Sequence, residues 1–196
     1  MSKPLKRDTT VQNSIAEQAA RKLVMVAVGV DIGGSHIGAC VIEHKSVVSS
    51  RNMDITNPEE MDEHALITLI VSLVRELVGP SIQVQSIGIG IPGQVSRGVL
   101  IAASNFPRLK RVPIASAISE SLNGANCVVL NDADAALAAE LWTASPKQYD
   151  GVTHAAMLTL GTGIGVSTYL DGRIFEGAHG AVEAGHMIIY PGGRLC

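Results

Sequence analysis

One pattern, an apolar run, a glycine turn and a second apolar run, occurs twice and limits the fold more than any other feature. Leu23–Val30 ends in Asp31-Ile32-Gly33-Gly34-Ser35, and Ile37–Ile42 follows. Far downstream, Leu158-Thr159-Leu160 runs into Gly161-Thr162-Gly163-Ile164-Gly165, with another apolar stretch behind it. Each reads as strand, tight turn, strand. Glycine lets a backbone adopt φ > 0 and approach a ligand closely, so the N–H groups of such turns can cradle phosphate oxygens. Taken singly, each is also what an ordinary hairpin looks like. Together they suggest two lobes closing on one polyphosphate, and hence phosphoryl transfer.

Neither turn is a Walker loop, which needs Gly-Lys-Ser/Thr opening a helix. Here Ser35-His36 leads into Ile37-Gly38-Ala39-Cys40-Val41-Ile42, rich in β-formers. The dinucleotide fingerprint G-x-G-x-x-G before a helix is absent too.

Aromatic residues make up only 3% of the 196, so a core must be built from Ala, Val, Ile and Leu. A net charge of −3 gives no reason to expect nucleic acid or an anionic membrane as partner. Nothing reads as a transmembrane helix. Residues 1–22 read as a short leader, disordered or helical. Lys3, Lys6, Arg7, Arg21 and Lys22 ahead of Leu23–Val30 imitate a signal peptide, but Asp31 follows at once and no cleavage site is evident. Asp8 and Glu17 argue against an organellar transit peptide. Cys40 and Cys127 fall in apolar runs, where a buried thiol is the default, so the compartment reads as reducing and cytoplasmic.

Leu23–Val30, Ile37–Ile42 and Val47–Ile55 read as consecutive strands. Asn57-Pro58 opens a helix with Asn57 as cap and an apolar face of Met61, Ala65, Leu66, Leu69, Ile70, Leu73, Val74 and Leu77; Gly79-Pro80 stops it. Ile87–Ile91 and Val99–Ala102 are strands, and a second helix runs from Pro113 to near Asn123-Gly124. Cys127–Leu130 is a strand followed by the helix Ala133–Trp142. Ala155–Leu160, Val166–Leu170 and a run near Ile174 open a second strand set. Local pairing crossed by helices argues for a mixed sheet in an α/β fold. The second set stops at Cys196 before any helix covers it, so the sequence reads as cut short.

Asn131-Asp132 sits at a strand end and a helix start. It can be a helix cap, or Asp132 can be a general base taking a hydroxyl proton as a phosphoryl group arrives. Asp31 can stabilise its turn or hold Mg²⁺, which favours one or two carboxylates with phosphate oxygens. Glu183-Ala184-Gly185-His186 with Cys196 offers two N/S groups where zinc wants about four ligands.

In order along the chain, VGVDIGGSHIG, IGIGIPGQV with GVLIAASNFP, VVLNDADAALAAELW, LTLGTGIG and EAGHMIIYPGGRLC resemble the ROK family (repressors, open reading frames and sugar kinases). The resemblance implies an actin-like ATPase (ribonuclease H-like) fold. Its first α/β lobe would be complete over 23–130, and the second, 131–196, would be an incomplete start. It matches Asp132 to the catalytic base, and Asn105, Asn131, Glu183 and His186 to sugar-binding positions. Gly33, Gly34, Ser35, Gly161, Thr162 and Gly163 match the phosphate turns, beside Asp31. His186 and Cys196 match the first two ligands of a structural zinc site whose motif continues Cys-x-Cys-Gly-x-x-Gly-Cys, the zinc orienting the histidine.

Implied with these are ATP with Mg²⁺ as donor and a small sugar as partner, with a homo-oligomer for a full-length form. The sequence departs from the pattern at His36, where Lys or another polar residue is common, and at Val166-Ser167, which replace glycines. With the remaining zinc cysteines and the adenosine segment absent, the expectation is a fragment or isoform with poor activity or none. A hexose kinase, with glucose as default, is the reading. A repressor of the same family would need a DNA-binding helix-turn-helix that the leader is too short to supply. A non-catalytic sugar-binding subunit is the remaining alternative.

Overall fold

In a computed structural model, which describes residues 24–143, 148–161, 163–177 and 184–193, the first apolar run becomes the central strand of a mixed sheet. β1 (Val24–Ile32) pairs antiparallel with β2 (His36–Glu43), and β2 pairs antiparallel with β3 (Ser46–Asp54). On its other side β1 runs parallel to β4 (Ile82–Ile91), which runs parallel to β8 (Asn126–Asn131). The strand order is β3-β2-β1-β4-β8, the mixed arrangement expected from the sequence.

The sheet has two unlike faces because side chains alternate along a strand. Val26, Val28, Val30 and Ile32 of β1 are buried with Ile37, Ala39 and Val41 of β2 and Ile87, Ile89 and Ile91 of β4. The opposite face carries small groups in register: Gly29 stands beside Cys40 and Gly88, and Asp31 beside Gly38 and Gly90. The long apolar residues face α1 (Glu63–Val78), whose Leu66, Ile70, Leu73 and Val74 are fully enclosed, and α2 (Ile114–Ser121), which buries Ile114 and Ile118. Burial of each such side chain contributes about 1.5–3 kcal/mol.

The start of α1 differs from the sequence expectation. Asn57 does not cap it: Asn57 is left-handed at φ 55 with no side-chain bond, and Pro58–Glu60 is a single 3-10 turn. The cap is Asp62, whose carboxylate accepts the Ala65 N–H at 2.8 Å. Two acceptable caps lay five residues apart, and the second won because it leaves Leu66, Ile70 and Leu73 on one inward stripe. Met61 is buried ahead of the helix, while Ala65 is exposed. The far end follows expectation, with Gly79 at φ 77 and its N–H on the Arg75 carbonyl.

Two elements were not read from the sequence. β5 (Gln94–Ser96) and β7 (Lys110–Val112) flank β6 (Val99–Ala102) in a small antiparallel sheet. Each has three residues, too few for an alternation to register. A third sheet, ordered β11-β10-β9, contains β9 (Ala155–Leu160), β10 (Ile164–Leu170) and β11 (Arg173–Ile174). α3 (Asp132–Thr143) packs against β4 and β8 on one side and β9 and β10 on the other, so it joins the two large sheets. Leu158 and Leu160 on the outer face of β9 are 65% and 80% exposed, so that face has no cover among the described residues. No helix among them is long and apolar enough to cross a membrane.

Asp62→Ala removes the cap of α1 and is expected to cost about 1 kcal/mol in urea unfolding. No loss would mean Glu63 or water replaces it. Within β10 the Thr168 hydroxyl is buried with no partner among the described residues. Thr168→Val is therefore expected to stabilise the protein by about 1 kcal/mol, read as a higher urea midpoint at unchanged slope. A lower midpoint would mean that the hydroxyl is satisfied.

Candidate active site

Asp31 occupies the last part of β1, between Gly38 and Gly90, with its side chain exposed. The turn beyond it closes by the Gly33 N–H on the His36 carbonyl at 2.8 Å. The Ser35 carbonyl accepts the Ile55 N–H at 2.9 Å, which pins the turn to the end of β3. Neither Gly33 nor Gly34 has positive φ, contrary to the reason first given for glycine here. The glycines instead leave room for two neighbouring side chains. A β-carbon on Gly33 would stand 2.8 Å from His36 Cε1, and one on Gly34 would stand 2.9 Å from Asn105 Nδ2. The Asn105 amide, on the loop after β6, thus lies over the first glycine turn.

At the start of α3 the two readings of Asn131-Asp132 divide between the residues. Asn131 Oδ1 accepts the Ala133 N–H at 2.9 Å and the Asp134 N–H at 3.4 Å, and so caps the helix. Its Nδ2 donates to the Gly93 carbonyl at 3.0 Å, tying the cap to the turn after β4. Only glycine fits at 93, where φ is +111 and a β-carbon would overlap the Ala102 carbonyl. Asp132 also takes the Ala133 N–H on Oδ1 at 2.9 Å, yet its side chain is exposed. Its charge sits at the positive end of the helix, where a carboxylate is favoured.

Gly90 is where the two carboxylate-bearing elements meet. A β-carbon there would stand 3.8 Å from Asp31 Oδ1, 3.8 Å from the Asp132 Cα and 3.3 Å from the Ala135 Cβ. A hollow of about 590 Å³ opens beside them, lined by Asp31, His36, Gly38, Asn52, Gly90 and Ala135 among others.

The second turn joins β9 to β10, with Leu160 opposite Ile164. The Gly161 N–H bonds the Gly163 carbonyl at 3.0 Å, and again neither glycine has positive φ. β-Carbons on them would meet nothing within 4 Å among the described residues. His186 ends a one-turn 3-10 helix, Ala184–His186, and is exposed. A β-carbon on Gly185 would overlap the Ile164 carbonyl, so this segment lies directly on the start of β10. Thr162, Glu183 and Cys196 lie outside the described residues. Among the described residues no three His, Cys, Asp or Glu side chains are grouped to hold a metal ion.

Sequence reasoning named Asp31, Asn105, Asn131 and Asp132, and the fold brings them to one end of the sheet. It missed Gly90 and Gly93, which set their spacing. It also missed the contact between Ser167 of β10 and Asp134 of α3, where the serine hydroxyl donates to Asp134 Oδ1 at 2.5 Å. The only signal was a hydroxyl in an apolar strand two residues after Gly165. Cys40 and Cys127 are half-buried and unpaired, and burial pushes the Cys127 thiol up to about 11, which keeps it protonated at neutral pH.

The ROK family model matches residues 27–196. Glucokinase of Thermotoga maritima is 27% identical over 86% of this chain and 52% of its own length. N-Acetylmannosamine kinase of Salmonella typhimurium is 29% identical over 88% of this chain and 57% of its own. A ROK family glucokinase from Streptomyces griseus, solved with glucose and AMPPNP, superposes with a TM-score of 0.70 at 28% identity, covering 87% of this chain and 53% of that one. The chain thus spans about half the length of the curated relatives it matches. The fold is the mixed α/β, actin-like ATPase architecture of those kinases. With one family model running from β1 through both glycine turns and the Asp132 helix, the chain belongs to the ROK family.

Proposed function

We propose that this chain is part of an ATP-dependent hexose kinase that moves the γ-phosphoryl group to a sugar 6-hydroxyl, with glucose as the first substrate to test. The observation that carries the reading is the meeting of Asp31, Asp132 and Ala135 around Gly90, with Asn105 over Gly34 beside them. In this reading residues 23–130 form the first lobe, 131–196 begin the second, and the protein works in the cytoplasm.

Phosphoryl transfer asks little covalent chemistry of a protein; it asks for position and charge. Asp132 takes the proton of the sugar hydroxyl, being exposed, held by one oxygen on the Ala133 N–H and fixed to the rigid start of a helix. The two glycine turns would hold the β- and γ-phosphates. The Gly33 and Gly161 N–H groups are engaged within their own turns, which leaves Gly34, Ser35 and Gly163 as the donors among the described residues. Asp31 suits Mg²⁺, directly or through water, as an exposed carboxylate at the phosphate turn; the ion supplies charge neutralisation to the phosphates. Asn105, Glu183 and His186 bind sugar hydroxyls. Asn131 has one amide hydrogen left after capping α3 and bonding Gly93, so its part in sugar binding is a single donated bond. For zinc the described residues offer His186 alone, and no step is assigned to that metal.

The test is calorimetry of the chain with glucose, N-acetylmannosamine and fructose, alongside ATP-dependent phosphorylation of the same sugars. Glucose binding by the chain is expected, with phosphate transfer by a form as long as the relatives and poor transfer or none by the 196 residues alone. Binding without transfer in the longer form would favour a sugar-binding regulatory protein, and absence of both there would overturn either reading. Asp132→Asn is expected to lower turnover by about 10²–10⁴-fold with sugar affinity within a few fold. Retained turnover would remove Asp132 from the base role.

A further inference from the structure

Helix α3 meets both large sheets through very small groups. Ala135 faces Gly90 of β4, and Ala133 faces Gly165 of β10, each methyl 3.3 Å from the place where the glycine would carry a β-carbon. Contacts between alanine and glycine are close but almost featureless, so they fix distance better than they fix position along or around the helix axis. A directional contact crosses the joint to β10. Ser167 is fully buried, the one buried polar residue among those described, and its hydroxyl donates to Asp134 Oδ1 at 2.5 Å across 33 residues of sequence. A hydroxyl on a carboxylate is a charge-assisted bond of the stronger kind, and burial removes competing water.

Asp134 is two residues from Asp132, in the same first helical turn, and its own N–H is on the Asn131 cap. Ser167 is two residues from Gly165, on the strand that leaves the second glycine turn. We propose that the Ser167–Asp134 hydrogen bond is a positioning latch that fixes the first turn of α3, and Asp132 with it, relative to the second glycine turn. Asn131 holds the same turn to the first sheet through Gly93. The helix start is thus tied by a polar bond to each side, and the latch supplies the side that faces the phosphate turn. Its catalytic consequence rests on the kinase reading above; the latch itself does not.

Two readouts separate these. Hydrogen exchange of the amides of residues 133–136 is compared in the wild-type chain, Ser167→Ala, Asp134→Ala and Asp134→Asn; the last keeps an Oδ1 acceptor. Exchange at least about 10-fold faster in both alanine variants, with Asp134→Asn close to wild type and strand β1 unchanged, is expected. Unchanged exchange at the helix start in Ser167→Ala would overturn the latch. Ser167→Gly serves if the alanine variant does not fold. In the kinase assay the alanine variants are expected to lose roughly 10- to 100-fold in kcat with KM for sugar and ATP within about two-fold, and Asp134→Asn to recover most of it. Equal losses in all variants, in step with a loss of folded protein, would reduce the bond to ordinary stability. The kinetic comparison is made in a form as long as the relatives; if that form transfers no phosphate, the kinase reading fails and the exchange result alone decides the latch.

Discussion

The packing of helix α3 between two sheets depends on close approach at Gly90 and Gly165, where an added β-carbon would stand 3.3 Å from an alanine methyl and the helix would have to give way by a few tenths of an ångström. A β-carbon at Gly90 would press on the Ala135 methyl, and one at Gly165 would press on the Ala133 methyl and overlap the Thr159 hydroxyl. The glycines therefore act on this fold through volume. Everything in the candidate site follows from that close approach: Asp132 arrives at the end of β1, near Asp31, and the second glycine turn arrives on the far side of the same helix. Bulk at either position would separate the carboxylate from one of the turns.

The close approach has an energetic consequence. Alanine and glycine bury little area, so this joint gains less from apolar burial than the opposite face of the sheet, where Leu66, Ile70, Leu73, Ile87 and Ile91 are enclosed. Polar bonds make up the difference in specificity. Asn131 ties the helix start to Gly93, and Ser167 ties it to β10. The joint is thus located by its polar bonds more than by apolar area.

The strands that form the central sheet were legible because their apolar runs are long and bounded by Gly, Asn and Pro. The site was legible in outline for the same reason: Asp31 and Asn131-Asp132 lie at strand ends, and parallel strands bring their ends to one edge. What could not be read was anything decided by a neighbour distant in sequence. Asn57 and Asp62 are both good caps by residue type, and the choice falls to the register of the buried face that follows. The glycines at 33 and 34 looked like dihedral requirements, whereas His36 and Asn105 occupy the space that a side chain would need. Ser167 looked like a departure from a glycine pattern, and its partner is 33 residues away on another element.

The assignment of Asn131 shows why cap and site need not be rival explanations. A helix start is at once a cap, an anion site and a fixed platform, because its free N–H groups must be satisfied by something. Asn131 satisfies two of them with one oxygen, which commits its amide to a single orientation and turns the Nδ2 group toward Gly93. Asp132, next in the chain, needs only one contact to be held, so most of its carboxylate remains accessible. Had the cap been Asp132 alone, its oxygens would face inward to the helix and be poorly placed to accept a proton from anything outside. The pair works as a division of labour: the neutral amide carries the structural bonds, and the charged group beside it is left exposed.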